Sequence, residues 1–160
     1  MVGSAYPRIT SNLYYIYMSA IPYLIVCNAV NAIEFYKHVF DATEVVRLAD
    51  SNGKVMHAEI KIGDSQIMLA DEFPDMGYRS PTMIGGSSVS ILIYVEDVDK
   101  VFASGISAGA NPTMQVQDQF DGDRRGTFTD PFGHIWLVAT RKEEISIDEL
   151  RKRFESMLKQ

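Results

Sequence analysis

Apolar and polar residues follow one order along this chain, and they follow it twice. Tyr23 to Val26 is an apolar run short enough for a strand, and Asn28 stands where the next helix needs an N-cap. Ala32, Ile33, Phe35, Tyr36, Val39 and Phe40 then recur at three- and four-residue spacing, which predicts a helix with one apolar face. Strands are predicted near Thr43–Leu48, Lys54–Ile62 and Ser65–Leu69, parted by the turn sequences Ser51-Asn52-Gly53 and Gly63-Asp64. The second pass opens with a strand at Ser90–Val95 and an N-cap at Asp97. Val98, Val101, Phe102 and Ile106 form its helix face, and Ala108-Gly109-Ala110 closes the helix. Strands near Thr113–Gln117, Arg124–Thr129 and His134–Ala139 complete it. A shift of about 69 residues lays Leu24-Ile25-Val26 on Ile93-Tyr94-Val95, and Ile67-Met68-Leu69-Ala70 on Trp136-Leu137-Val138-Ala139.

Each half is strand, helix and three strands, so the predicted class is α+β, built from tandem βαβββ modules. The modules span about 21–71 and about 89–140, within one domain of about 21–145. The Pro-, Gly- and Ser-containing linker 72–88 is a candidate lid over whatever the modules enclose. Ser146 with Glu149 makes a capping box, and Ile147, Leu150, Phe154, Met157 and Leu158 stripe a C-terminal helix over 146–160. That stripe needs a surface to cover, and a homodimer is expected. Residues 1–20 form an N-terminal extension belonging to neither module.

Composition narrows the function classes. With 46% hydrophobic and 22% charged residues, a chain of 160 residues can bury one ordinary core. The net charge of −6 and the scattered basic residues argue against nucleic acid or an anionic membrane as partner. Leu13 to Val26 is largely apolar, but Pro22 interrupts it and it is too short to span a bilayer. No signal-peptide pattern is evident, so a cytoplasmic location is expected. Cys27 stands alone, which excludes an internal disulfide and a cysteine-rich zinc site.

The segment from Asp123 to Trp136, DRRGTFTDPFGHIW, is the most specific motif. Its Asp130-Pro131-Phe132-Gly133 reads as a tight reversal between two strands. With AIEFYKHVF at Ala32–Phe40, GKVMHAEIKIGDSQIMLA at Gly53–Ala70 and YVEDVD at Tyr94–Asp99, the chain resembles the PhnB-like branch of the vicinal oxygen chelate superfamily. Glyoxalase I, bleomycin-resistance proteins and extradiol dioxygenases belong to the same superfamily. The resemblance implies paired curved sheets enclosing a cup. It also implies that a divalent metal, where one is used, is held on the first and fourth strands of each module. Carried over, those positions fall on Ile21, Met68, Ser90 and Leu137, of which only serine has an oxygen. No metal and no cofactor are expected.

The polar candidates are few. Alternation places Met56, Ala58, Ile60 and Ile62 on the face toward the helices and Val55, His57, Glu59 and Lys61 on the other. His57 and Glu59 then stand about 7 Å apart, as an acid–base pair in the cup or a hydrogen-bonded pair at a sheet margin. Arg124 is assigned to the cup side with Phe128, where it would suit a carboxylate or phosphonate ligand or bridge to Glu59. His134 shares parity with Trp136 and reads as a turn residue, and His38 as a solvated helix residue. The expected cup lining is Ile21, Tyr23, Met68, Leu92, Tyr94, Phe128 and Leu137, with Ser90 as a further polar point. A mostly apolar cup points to metal-free binding of a small, partly apolar molecule. The alternative is a lyase or isomerase using His57 and Glu59. Methyl transfer is disfavoured, because no glycine-rich βαβ unit for a nucleotide-bearing donor is found.

Overall fold

Capping side chains start the three longer helices where the sequence places them. The computed structural model describes residues 20–159, so of the N-terminal extension only Ala20 falls within the described residues. The first module is β1 (Tyr23–Val26), α1 (Ala29–Phe40), β2 (Thr43–Ala49), β3 (Val55–Ile62) and β4 (Ser65–Asp71). A short helix α2 (Pro81–Ile84) lies in the linker. The second module is β5 (Ser90–Tyr94), α3 (Val98–Ser107), β6 (Asn111–Asp118), β7 (Asp123–Thr129) and β8 (Ile135–Arg141), followed by α4 (Ile147–Met157). Asn28 Oδ1 accepts from Asn31 N at 2.9 Å, Asp97 Oδ1 from Lys100 N at 3.1 Å, and Ser146 Oγ from Glu149 N at 3.2 Å. Each bond satisfies a backbone donor that has no partner within its own helix.

The strands form two four-stranded sheets, ordered β1-β4-β3-β2 and β5-β8-β7-β6. In each, the first strand runs parallel to the fourth and the remaining pairs are antiparallel. The fold is therefore α+β, with one mixed sheet per module. Helix α1 covers one face of the first sheet, α3 covers one face of the second, and the two helices touch. Buried Asp71 ties the first module together, its carboxylate accepting from Ala29 N at 2.7 Å and Val55 N at 2.6 Å.

Aromatic rings join the modules. The Phe40 ring stacks on Phe128 at 6.2 Å, Tyr36 lies 5.3 Å from Trp136, and Phe35 meets Phe132 edge-on at 6.1 Å. Gly126 of β7 makes room for this layer: a Cβ there would stand 2.7 Å from the Phe102 ring and 2.8 Å from Val116. Gly126→Ala is accordingly expected to lower stability by about 1–3 kcal/mol through overpacking. Urea denaturation would check this, and an unchanged midpoint would show that Phe102 yields freely.

Two face assignments made from the sequence are corrected here. Arg124 and Phe128 lie on the helix side of β7, because their cross-strand partners on β8 are Thr140 and Trp136 rather than Leu137. Phe128 is fully buried against Phe40 and Phe102. Arg124 is tied to Asp99 of α3 at 2.8 Å and to Asp118 of β6 at 3.1 Å. In β3, strict alternation fails. The register against β2 slips opposite Leu48 and Ala49, so Val55 joins Ala58 and Ile60 in the core and Met56 turns outward.

The linker is structured by its own bonds. Phe73 bridges Tyr78, Pro74–Met76 form one 3₁₀ turn, and buried Ser80 donates its hydroxyl to Glu72. Gly133, at φ 89°, lies directly beneath Pro81 of α2 and leaves no room for a side chain. Helix α4 rests on its own chain through Phe154 and Phe120, 5.6 Å apart, while Ile147 and Leu158 stay exposed. Among the described residues no helix is long and apolar enough to cross a membrane.

Candidate functional site

The helix-free face of the first sheet carries a hydrogen-bonded chain of four side chains. Pairing across β1, β4 and β3 aligns Tyr23 with Met68 and Met68 with Glu59, and His57 lies two residues along β3 on the same face. His57 Nδ1 lies 3.0 Å from the Tyr23 hydroxyl, and its Nε2 lies 3.2 Å from Glu59 Oε1. Gln66 of β4 donates to the other oxygen, Glu59 Oε2, at 2.7 Å. With a carboxylate as acceptor, the neutral imidazole carries its proton on Nε2, which leaves Nδ1 to accept from tyrosine. Glu59 is buried at 7% and Tyr23 is 47% exposed, so the chain runs from a sheltered carboxylate to a phenol facing outward. Burial, and secondarily neighbouring Tyr78, push the Tyr23 phenol above its ordinary pKa, so it keeps its proton and can donate a hydrogen bond to His57.

The second sheet answers with a different set. Leu92 pairs with Leu137, Leu137 with Thr127, and Arg125 stands where the module repeat places His57 in the first half. Its polar groups are engaged with one another. Tyr94 donates to Asp123 Oδ2 at 2.9 Å, and Arg141 bonds both Asp123 and the Tyr94 hydroxyl. Arg125 pairs with Asp121 at 3.1 Å. Tyr94 is thus held by Asp123 and Arg141.

Between the sheets, where β1 and β5 approach, lies an open cavity of about 670 Å³. Ile21, Tyr23 and Ile25 form one wall, Ser90 and Leu92 the other, and the linker closes it with Arg79, Pro81 and Ile84. His134 sits at its edge. Its backbone N–H donates to Asp130, and its Nε2 lies 3.1 Å from the Ile25 carbonyl across the module boundary. A second cavity, of about 700 Å³, continues the seam between Gln66 and Tyr94.

The structure brings Tyr23, His57, Glu59 and Met68 together, and places Ser90, Leu92 and Leu137 on the facing sheet. Arg124 and Phe128 stand apart from them. Sequence reasoning missed Gln66, Arg125, Asp123, Arg141 and Arg79. Gln66 shares parity with Met68 and was accessible by alternation, as Arg125 was from its offset to Leu137. Arg79 sits in a linker with no period and left no such signal.

The residues do not fit the divalent metal that the superfamily resemblance implies. Met68 and Leu137 hold the fourth-strand positions with no oxygen or nitrogen to offer. Among the described residues no three His, Cys, Asp or Glu side chains are grouped closely enough to hold an ion.

Comparison with known proteins agrees with the architecture. The profile of the Glyoxalase/Bleomycin resistance protein/Dioxygenase superfamily matches residues 18–138. The protein Mb0911c of Mycobacterium bovis is 40% identical over 138 residues, covering 84% of this chain and 91% of its own length. The solved structure of the PhnB protein from Bacillus cereus superposes with a TM-score of 0.63 at 19% identity, covering 77% of this chain and 99% of that one. The fosfomycin resistance protein FosX of Listeria monocytogenes, complexed with Mn(II) and sulfate, superposes with a TM-score of 0.61 at 17% identity, covering 88% and 99%.

Proposed function

The chain belongs to the Glyoxalase/Bleomycin resistance protein/Dioxygenase superfamily, and we propose that it binds a small, partly apolar molecule between its sheets without a metal. The observation that carries this reading is the position of Tyr23. Its ring lines the cavity of about 670 Å³ while its hydroxyl ends the chain through His57 and Glu59. An apolar space of that size with a few convergent polar groups suits a small organic ligand. FosX holds Mn(II); Met68 and Leu137 here favour a site that works through hydrogen bonds alone.

A thermal-shift screen of aromatic acids, aromatic alcohols and divalent metal salts tests this. Several organic probes should raise the melting temperature, and Mn(II), Zn(II) and Ni(II) should not. Metal analysis of protein purified without chelator should return well under one equivalent. Stoichiometric metal, or indifference to every organic probe, would sink the reading.

The same chain of bonds favours a second reading, a lyase or isomerase. There Tyr23 would meet the substrate and His57 would take up or return the proton, with Glu59 fixing the tautomer. Turnover of a compound that the screen identifies would decide for it.

The working form in this reading is a homodimer. Leu48, Leu92 and Tyr94 remain exposed on the sheets, and Ile147, Met157 and Leu158 remain exposed on or just beyond α4. Sedimentation should give about twice 17.9 kDa, and a monomer at micromolar concentration would refute it.

A further inference from the structure

Among the described residues, the arginines are paired almost without exception. Arg47, Arg124, Arg125, Arg141, Arg151 and Arg153 each lie within 4.0 Å of a carboxylate oxygen. Arg79 has no carboxylate partner among the described residues, and it lines the cavity between β1 and β5. In a chain with a net charge of −6, the described residues that line this cavity include no aspartate or glutamate. We propose that the molecule bound there carries an oxyanion, such as a carboxylate, phosphonate or sulfonate, and that Arg79 reads it. This rests on the small-molecule reading above and names the class of ligand.

Arg79 is exposed at the margin of the open cavity, and its backbone is held on both sides. On one side the Phe73–Tyr78 bridge fixes the backbone. On the other, Ser80 is buried and bonded to Glu72, and it caps α2. The side chain therefore leaves from a held position while its guanidinium remains available. Ser88 and Ser90 add hydroxyl groups to the same cavity, and Ile21, Ile84 and Leu92 supply apolar surface for the body of a ligand. A planar guanidinium beside an apolar wall matches an aromatic or aliphatic acid, because one end pairs with the oxyanion in a fork while the other leaves water. Sequence reasoning gave this part to Arg124, but the two aspartates that hold Arg124 remove it from contention.

Matched probes test the proposal. Naphthylacetate and phenylphosphonate are titrated against the neutral naphthylethanol and phenylethanol, with wild-type protein, Arg79→Gln and Arg79→Lys. The wild type should bind at least one acid about ten- to a hundredfold more tightly than its alcohol, the worth of one charge-assisted hydrogen bond. Arg79→Gln should abolish that preference and leave alcohol binding unchanged, and Arg79→Lys should restore part of it. Which acid is preferred separates a carboxylate ligand from a phosphonate. Equal binding of acids and alcohols, or a preference that survives in Arg79→Gln, overturns the proposal and leaves the binding reading standing. If neither acids nor alcohols bind, the binding reading fails and the proposal falls with it.

Discussion

Replacing Asp130 by alanine is expected to cost about 3–5 kcal/mol of stability, a large share of what a domain of this size possesses. The Asp130 carboxylate is 4% exposed and accepts four hydrogen bonds. Tyr36 donates from α1 at 2.7 Å and Trp136 Nε1 from β8 at 2.9 Å. The backbone N–H groups of Phe132 and His134 donate from within the turn, both at 2.9 Å. Alanine would strand two side-chain donors and two backbone donors in a region that water does not reach, and each stranded donor keeps its full desolvation cost. The first helix would also lose its polar tie to the second module. Urea denaturation with tryptophan fluorescence measures the effect, since Trp136 reports directly on the site. A loss of less than about 1 kcal/mol, the size of one ordinary hydrogen bond, would mean that the turn repacks around the vacancy.

The same cluster has a pH signature. Burial first, and the neighbouring Asp130 second, hold the Tyr36 phenol well above its ordinary pKa. The folded protein therefore keeps a proton that the unfolded chain releases in alkali. This contribution is complete below about pH 10, the ordinary tyrosine value, and is lost as pH rises beyond it. Tyr36→Phe should be less stable at neutral pH, for want of one bond, yet show a shallower loss above pH 10.

The sequence made the module repeat, the helix caps and the turn at Asp130-Pro131-Phe132-Gly133 readable because each depends on local chemistry. Asn28, Asp97 and Ser146 announce helices through side chains that compete for backbone donors. His57 and Glu59 were legible as a pair because alternation fixes which residues share a strand face. What alternation leaves open is which of the two faces meets the helices. In β7 both faces offer plausible residues, Arg124 and Phe128 on one and Arg125 and Thr127 on the other. The decision comes from Phe40, Phe102 and Trp136, which lie far away in sequence or on neighbouring strands and converge on Phe128 only in the folded chain. Met56 was misplaced for a related reason: a bulge depends on the partner strand, and β3 alone gives no sign of it.

His57 is where loss of function should be greatest. His57→Ala is expected to weaken binding of any probe that contacts the Tyr23 end of the chain by about ten- to a hundredfold. Without the imidazole, Tyr23 loses its acceptor and turns freely at the cavity wall. If the protein turns over a compound, the rate should fall by about two to four orders of magnitude, the range for removal of a positioned acid–base group. The substitution also leaves Glu59 with only Gln66 as its side-chain partner, so a stability loss would accompany it. His57→Ala combined with Glu59→Gln removes the lone charge and separates the two effects: stability should partly return while affinity does not. Arg124→Ala is the control, since its guanidinium pairs with Asp99 and Asp118 on the helix side of the second sheet. Its dissociation constants should match the wild type. Unchanged affinity in His57→Ala together with weakened binding in Arg124→Ala would show that the ligand enters from the helix side, and the chain from Tyr23 to Gln66 would then be a structural bond network only.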